Sequence, residues 1–173
     1  ILLIEFIFYF MFFVALYVRY LNPDLWHQFR GGEKPMDLAY LHALIRSMDL
    51  PPFDPWFSVF TLNYYYFGQY MVSVLIKLSG VPTNIAYNLA IPTFFSYTSI
   101  LIFGLISNIT FLVYKLRDLN FNWFKYPLLF GIFGIFITII FGNFDGFLQL
   151  INLILGRQNT FDYWGSTRIV SMV

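Results

Sequence analysis

The chain has 173 residues, of which 59% are hydrophobic, 23% are aromatic and only 11% are charged. Soluble domains carry about 25% charged residues, so a chain of this composition has too little polar surface to cover its own core in water. The net charge of +1 gives no argument for a nucleic-acid partner, and the lack of Cys excludes disulfides and thiolate chemistry. The composition predicts an integral membrane protein whose main partners are membrane lipids.

The first predicted element is an apolar helix over residues 1–21, which matches the roughly 20 residues needed to cross a bilayer. Arg19 lies near its end. Glu5 lies inside the apolar run, where an ionised carboxylate is costly, so it is protonated, paired within a bundle or close to the membrane surface. Because the chain starts at Ile1 within this run, we expect it to be a piece of a longer polytopic protein.

A polar loop over residues 22–61 follows and holds eight of the charged residues. Apolar side chains recur within it at helical spacing, at Leu38, Leu41, Ile45 and Met48. This pattern predicts an amphipathic helix over residues 36–48, which is too short to span and is expected to lie in the membrane interface. The prolines at positions 51, 52 and 55 are expected to end the helix and to extend the chain.

Three further apolar segments predict transmembrane helices over residues 63–79, 85–114 and 126–141. Pro92 lies inside the second of these, where neighbouring helices can tolerate the kink that it causes. Gly131 and Gly134 are predicted to let the last segment approach another helix closely. A half-helix is predicted after a break at residues 142–146.

The predicted fold is therefore all-α. It is a polytopic transmembrane helix bundle in a single membrane domain, with a large polar first loop that carries an interfacial amphipathic helix. We find no motif of an ATPase, a dehydrogenase or a serine hydrolase.

The strongest candidates for chemistry are Glu33 and Asp37, which are four residues apart around the predicted start of the short helix. Two carboxylates that face the same opening at the membrane surface can bind a divalent cation through their oxygen atoms, or one of them can act as a general base. Alternatively, Asp37 stabilises the helix dipole while Glu33 pairs with Lys34 or Arg30. The spacing leaves both interpretations open.

Two neighbouring segments have a similar double interpretation. Asp54, between two prolines, suits either a turn in which its side chain bonds the following backbone or a carboxylate positioned toward a substrate. The tyrosine triplet is either an aromatic belt at headgroup depth or a surface that binds sugar. The stacking and hydrogen-bonding residues of such a surface would be Asn63, Tyr64, Tyr65, Tyr66 and Gln69.

Several motifs occur in a specific order along the chain. They are GEKPMD at residues 32–37, PPFDPW at 51–56, LNYYYFGQ at 62–69, GNFDG at 142–146 and FDYW at 161–164. In this order they resemble the uncharacterised "YYY" family of polytopic membrane proteins, named for its tyrosine triplet. The resemblance covers about residue 20 to the end of the chain. Family members are much longer, so it implies that this chain is an N-terminal part.

The layout of that family is similar to the GT-C class of membrane glycosyltransferases, which use a lipid-phosphate-linked sugar and an acidic residue in the first external loop. The resemblance implies that Asp37 is the base or a ligand of a divalent cation, with Glu33 as its neighbour. It also implies phosphate contacts from loop cations, namely Arg30, Lys34 and Arg46, because guanidinium groups match phosphate oxygens. The implied activity is sugar transfer from a polyprenyl-phosphate donor at a prokaryotic plasma membrane.

Two other functions stay open at this point. The 23 Phe residues are consistent with a non-catalytic subunit that packs in a larger membrane complex and contacts lipid or pigment. Glu5, Pro92 and the break at Gly142 are consistent with a transporter module, since polar or broken helices line transport pathways.

Overall fold

The computed structural model describes residues 2–25, 33–57, 59–117, 125–140 and 144–157. These ranges contain six α-helices, which are α1 (Leu2–Leu21), α2 (Lys34–Arg46), α3 (Phe67–Ser79), α4 (Thr83–Leu116), α5 (Lys125–Ile135) and α6 (Phe144–Ile154). A π-helical segment, Phe136–Ile140, continues α5. The β pairing found in the described residues is one isolated antiparallel bridge, between Phe53 and Thr61. The all-α prediction is confirmed.

The chain divides into two compact units. One comprises residues 2–96, and the other holds the described residues from 97 onward. The candidate site residues that the structure describes all belong to the first unit.

Two helices, α1 with 20 residues and α4 with 34, are long and apolar enough to cross a membrane. At 1.5 Å per residue, α1 is about 30 Å long, which equals the hydrocarbon thickness of a bilayer. Ile7 is its one buried residue, and Phe6 and Phe10 stack with their ring centroids 6.2 Å apart on the exposed surface. Glu5 lies in the first turn and is exposed. A helix that is apolar on all sides without being buried needs lipid as its solvent.

The short helix of the polar loop, α2, begins at Lys34, with Pro35 in its first turn, and ends at Arg46. Proline is favoured there because the first helical N–H groups have no intrahelical partner. The buried residues of α2 are Tyr40, Leu41 and Leu44. Met48, predicted to share the apolar stripe, is fully exposed, because the helix has already ended and helical periodicity no longer sets its direction.

The core of the first unit lies where α2 meets α3 and the start of α4. Leu41 is only 1% exposed, and Val72 and Ile76 of α3 are buried beside it. Ala86 and Ala90 of α4 pack against this cluster. The apolar face of α2 is therefore covered by two helices.

The third helix, α3, starts at Phe67, after the tyrosine triplet, and ends at Ser79, with Gly80 as its C-cap residue. Gly80 has φ of 69°, and its N–H donates to the Ile76 carbonyl at 2.9 Å. Glycine suits this left-handed cap because it has no Cβ. The 13 residues of α3 extend about 20 Å, which is shorter than the hydrocarbon core.

Pro92 lies inside α4 and is fully buried. The Ser96 hydroxyl donates a hydrogen bond of 2.7 Å to the Pro92 carbonyl oxygen. Proline has no N–H, so it interrupts the hydrogen-bond ladder of the helix without ending α4, as the sequence predicted.

In the second unit, α5 packs closely against the later part of α4. A Cβ at Gly131 would lie 2.7 Å from a ring carbon of Phe103, and one at Gly134 would lie 2.8 Å from Cγ1 of Ile106. The Ser107 hydroxyl donates a 2.9 Å hydrogen bond to the Pro127 carbonyl oxygen. The prediction that Gly131 and Gly134 permit close helix approach is confirmed.

The last described helix, α6, begins at Phe144, three residues before the predicted half-helix. It ends before Gly156, which has φ of 66°. Residues 144–146, which were predicted to belong to the break, are therefore part of the helix. Residues 141–143 lie outside the described ranges.

Candidate functional site

Asp37 lies in the first turn of α2, three residues after the helix begins. Its N–H donates to the Glu33 carbonyl at 3.0 Å, which makes Glu33 the N-cap residue. A carboxylate in the first helical turn interacts favourably with the helix dipole. Asp37 therefore lies where it can interact with the helix dipole, which is the first of the two roles that the sequence left open. This role does not exclude a second one.

Asp37 also lines a small, open cavity between three helices. The cavity has a volume of about 180 Å³. Its lining residues come from α2, α3 and α4 and are Asp37, Leu41, Gly68, Gln69, Val72, Tyr87, Ala90, Ile91 and Phe94. Since one water molecule takes about 30 Å³ of liquid, this space admits a few waters or one small polar group. The wall around the carboxylate is mostly apolar.

Two side chains hold the Asp37 carboxylate in place. The Gln69 amide donates from Nε2 to Oδ1 of Asp37 at 3.0 Å, and the Tyr87 hydroxyl is also hydrogen bonded to this side chain. The contact with Gln69 brings together two predicted site residues that are 32 positions apart in the chain. A half-buried carboxylate with a fixed orientation is suited to accept a proton from a group in the cavity.

Tyr40 connects α2 to the tyrosine triplet. Its side chain is only 6% exposed, and its ring centroid lies 6.0 Å from that of Tyr64, which in turn lies 5.3 Å from Tyr65. Burial raises the pKa of the Tyr40 hydroxyl above its ordinary value, and the negative charge of Asp54 raises it further. Tyr64 therefore has a packing role at the edge of the site, whereas Tyr65 projects outward.

Raising the pH through about 10 is expected to destabilise the wild type more than the Tyr40→Phe variant. The folded-state pKa of Tyr40 lies above the unfolded value, so its contribution to stability is full below the unfolded pKa and is lost as the pH rises through the folded pKa. Thermal unfolding midpoints of the full-length protein, measured from about pH 8 to 11, test this. Tyr65→Phe, at a residue 84% exposed, should follow the wild type. Parallel curves for wild type and Tyr40→Phe would contradict the prediction.

Asp54 organises the segment that follows α2. Its Oδ1 accepts hydrogen bonds from the backbone N–H groups of Trp56 at 2.8 Å and Phe57 at 3.2 Å. The Asp54 N–H donates to the Phe60 carbonyl at 2.9 Å, beside the bridge between Phe53 and Thr61. Of the two interpretations left open, the turn is the one whose hydrogen bonds are present.

Replacing Asp54 by Asn is expected to leave stability unchanged, whereas Asp54→Ala should lose about 1 kcal/mol. Asparagine keeps an oxygen acceptor for the two backbone N–H groups, and alanine removes it. Thermal unfolding of the two full-length variants provides the measurement. Equal loss in both would show that the negative charge, rather than the turn, is what the fold requires.

The remaining predicted site residues lie at different distances from Asp37. Lys34 is half-buried and one helical turn before Asp37, while Arg46 is exposed at the other end of α2, about 13.5 Å from Asp37 along the helix axis. Tyr66 is half-buried and Asn63 is exposed, both just before α3. Arg30 lies outside the described residues. One phosphate beside Asp37 is therefore within reach of Lys34 but not of Arg46.

A divalent cation at Glu33 and Asp37 stays a prediction. Within the described ranges, no three His, Cys, Asp or Glu side chains come together as a metal site would require. Glu33 is exposed, and Asp37 already accepts hydrogen bonds from Gln69 and Tyr87. Because these two carboxylates do not make a complete oxygen-ligand set, we assign no chemical step to a cation.

Comparison with known proteins identifies the family. A family model described as "Uncharacterized membrane protein (DUF2298)" matches residues 1–173. The chain belongs to this family. No curated protein and no solved structure matches it. The expected membership in an uncharacterised membrane-protein family is confirmed, and together with the two long apolar helices it establishes this DUF2298 chain as a membrane protein.

The sequence-based site prediction missed three polar residues of the DUF2298 chain, which are Arg19, Tyr87 and Asn88. Arg19 at the end of α1 donates from Nε to Oδ1 of Asn88 on α4 at 2.6 Å. Tyr87, the residue before Asn88, is the one that bonds Asp37. The available signal was an adjacent Tyr and Asn near the start of an otherwise apolar span.

Proposed function

We propose that this chain is the N-terminal, catalytic part of a GT-C-like integral membrane glycosyltransferase that uses a polyprenyl-phosphate-linked sugar. The observation that carries the proposal is the Asp37 carboxylate, which is half-buried at a cavity of about 180 Å³. Donors from two other helices, Gln69 and Tyr87, orient it. Such a carboxylate, on the short helix after the first apolar helix, has the position and the surroundings of a general base.

The proposed architecture is a polytopic bundle in a prokaryotic plasma membrane. The helices α1 and α4 cross it, and the shorter membrane segments are α3 and α5 with its π-helical continuation. Residues 22–61 then lie at the membrane surface, with α2 in the interface. The exposed apolar residues of α1 and the exposed end of α2 at Arg46 support this arrangement.

In the proposed reaction, Asp37 takes the proton of an acceptor hydroxyl while the hydroxyl oxygen attacks the anomeric carbon of the donor sugar. The bond from that carbon to the phosphate oxygen breaks, and its electron pair leaves with the lipid phosphate. Lys34, one turn from Asp37, is placed to meet this negative charge, and Arg30 is a further predicted contact, whereas Arg46 lies too far along α2 to reach the same phosphate. Protonated Asp37 then returns its proton to water.

The tyrosine triplet supplies the proposed sugar surface. Tyr65 and Tyr64 expose ring faces on which a sugar can stack, and Asn63 offers a hydrogen-bonding side chain beside them. Gln69 and Tyr87 act as positioning residues, because they bond the carboxylate rather than open solvent.

Sugar transfer in membranes containing the full-length protein tests the proposal. Wild-type membranes are expected to move labelled sugar from a polyprenyl-phosphate donor to an endogenous acceptor, and Asp37→Asn membranes are expected to lose the transfer. Unchanged transfer in both Asp37→Asn and Glu33→Gln would contradict the catalytic assignment.

A non-catalytic membrane subunit is the second candidate. The exposed aromatic surface of α1 favours it, because Phe6 and Phe10 stack along one side and Phe8 and Phe12 along another without being buried. A subunit would show no transfer and would copurify with other chains at a fixed stoichiometry. A catalytic protein would show transfer after purification to a single chain.

A further inference from the structure

A second and larger cavity lies between the end of α1 and the start of α4. Its volume is about 620 Å³, within the range of about 300–1,000 Å³ that small-molecule sites occupy. The apolar part of the lining includes Phe13, Leu16 and Leu89. Arg19 and Asn88 provide the polar part. We call this space the α1–α4 cleft.

The cation of the cleft is held by neutral groups. Arg19 donates to the amide oxygen of Asn88 at 2.6 Å, to the Asn22 carbonyl at 2.9 Å and to the Asp24 carbonyl at 3.0 Å. These contacts fix the guanidinium through neutral oxygen atoms, so none of the three acceptors carries a charge. A guanidinium has five N–H groups, so two have no acceptor within the part of the chain that the structure describes.

The cleft has a polar end and an apolar end along the axis of α1. Arg19 lies in the last turn of α1, and Asn88 lies in the second turn of α4. The polar end of the cleft is therefore where the C-terminal end of α1 meets the N-terminal end of α4. Phe13 is six residues before Arg19, which places it about 9 Å deeper along α1. A molecule that matches this gradient has an anion at one end and a hydrocarbon chain at the other.

The polar end of the cleft is also next to the Asp37 cavity. Asn88 lines the cleft, while the adjacent Tyr87 lines the cavity and bonds Asp37. Arg19 is bonded to Asn88, and the residue before Asn88 in α4 is Tyr87, which holds Asp37. An anion bound at Arg19 would therefore lie near the proposed base.

We propose that the α1–α4 cleft binds a lipid phosphomonoester, with its phosphate on Arg19 and its chain against Phe13, Leu16 and Leu89. This inference rests on the proposed function, because the lipid phosphate released by sugar transfer is such a phosphomonoester. Arg19 is then the anchor of the lipid product, and the bond to Asn88 orients the guanidinium toward it. Guanidinium–phosphate hydrogen bonds are charge-assisted and give both affinity and orientation.

Binding of polyprenyl monophosphate to the purified full-length protein in detergent tests the proposal. Arg19→Gln is expected to weaken binding by about tenfold or more, and Arg19→Lys by less, because lysine keeps the charge but loses the fork. Lys77→Gln is the matched control, since Lys77 is also a basic residue in the last turn of a helix but does not line the cleft. It is expected to bind as the wild type does.

Leu89→Trp provides a second variant that leaves the Arg19 contacts intact. It fills the apolar part of the cleft and is expected to weaken binding several-fold even where Arg19→Gln does not fold. Unchanged affinity in Leu89→Trp or in folded Arg19→Gln would overturn the proposal. Equal affinity of the wild type for phosphatidylglycerol would also overturn it, because the site would then attract any anionic lipid.

Failure of this inference and failure of the proposed function give different results. Asp37→Asn is expected to retain binding of polyprenyl monophosphate while losing transfer. Binding that depends on Arg19, without transfer by the wild type, would support the cleft and contradict the glycosyltransferase. Transfer that depends on Asp37, with an unchanged donor KM in Arg19→Gln, would support the glycosyltransferase and overturn the cleft.

Discussion

Replacing Asp37 by Asn is expected to lower the rate of sugar transfer by about 10²- to 10⁴-fold, the usual contribution of general acid–base catalysis. The carboxamide keeps an oxygen for the hydrogen bond from Gln69 at the same position, so the cavity should stay intact while the proton acceptor is lost. The measurement is the initial rate with saturating donor, using membranes with equal amounts of folded full-length protein. A wild-type rate in Asp37→Asn would contradict the role of this residue as a base.

Variants of two other carboxylates provide a control and a comparison for the same experiment. Asp49 follows α2 and is exposed, so Asp49→Asn is a matched control that is expected to keep the wild-type rate. Glu33→Gln is expected to cause a smaller loss than Asp37→Asn, because Glu33 is exposed and does not line the cavity. Equal losses at Glu33 and Asp37 would instead indicate that both carboxylates hold one cation.

Replacing Gly131 by Leu is expected to destabilise the protein by about 3 kcal/mol through overpacking. The first carbon of the new side chain would already lie 2.7 Å from the Phe103 ring, which is closer than van der Waals contact allows. The hydrogen bond between Ser107 and the Pro127 carbonyl, at 2.9 Å, limits how far α5 can move away without further loss. Thermal unfolding of the full-length protein, followed by the fraction that stays monodisperse in detergent, measures the effect.

Gly104→Leu is the matched control for this prediction. Gly104 is also a glycine within a long apolar helix, but a Cβ there meets nothing within 4 Å. Leucine is a better helix former than glycine by nearly 1 kcal/mol, so Gly104→Leu should be at least as stable as the wild type. Equal stability of the Gly131 and Gly104 variants would contradict the close packing of α5 on α4.

The parts of the fold that depend on local pattern were predictable from the sequence. The first apolar run became α1, and Gly131 and Gly134 met the neighbouring helix because small residues are the ones that permit such an approach. Met48 departed from its predicted stripe because the exact end of a helix depends on local capping, here at Ser47. Periodicity predicts a face only as far as the helix continues.

The candidate site was predictable in its centre but not in its surroundings. Asp37 stood out as an acid beside a helix start, and Gln69 stood out near the tyrosine triplet. Tyr87 and Arg19 did not, because their contacts join residues that are far apart in the chain, 69 positions in the case of Arg19 and Asn88. No spacing rule predicts which polar side chain of one apolar helix meets another helix.

Pro92 makes α4 easier to bend at a turn that lies next to both cavities. In an ordinary α-helix the N–H of residue 92 would bond the carbonyl of Asn88, and proline cannot supply it. Bending at this turn therefore breaks one hydrogen bond fewer than bending elsewhere in the helix. Asn88, whose carbonyl lacks this partner, is also the residue whose side-chain oxygen accepts the hydrogen bond from Arg19. In the proposed lipid complex, α4 is therefore the wall of the cleft that bends at the lower cost, and it bends beside the residue that accepts the hydrogen bond from Arg19.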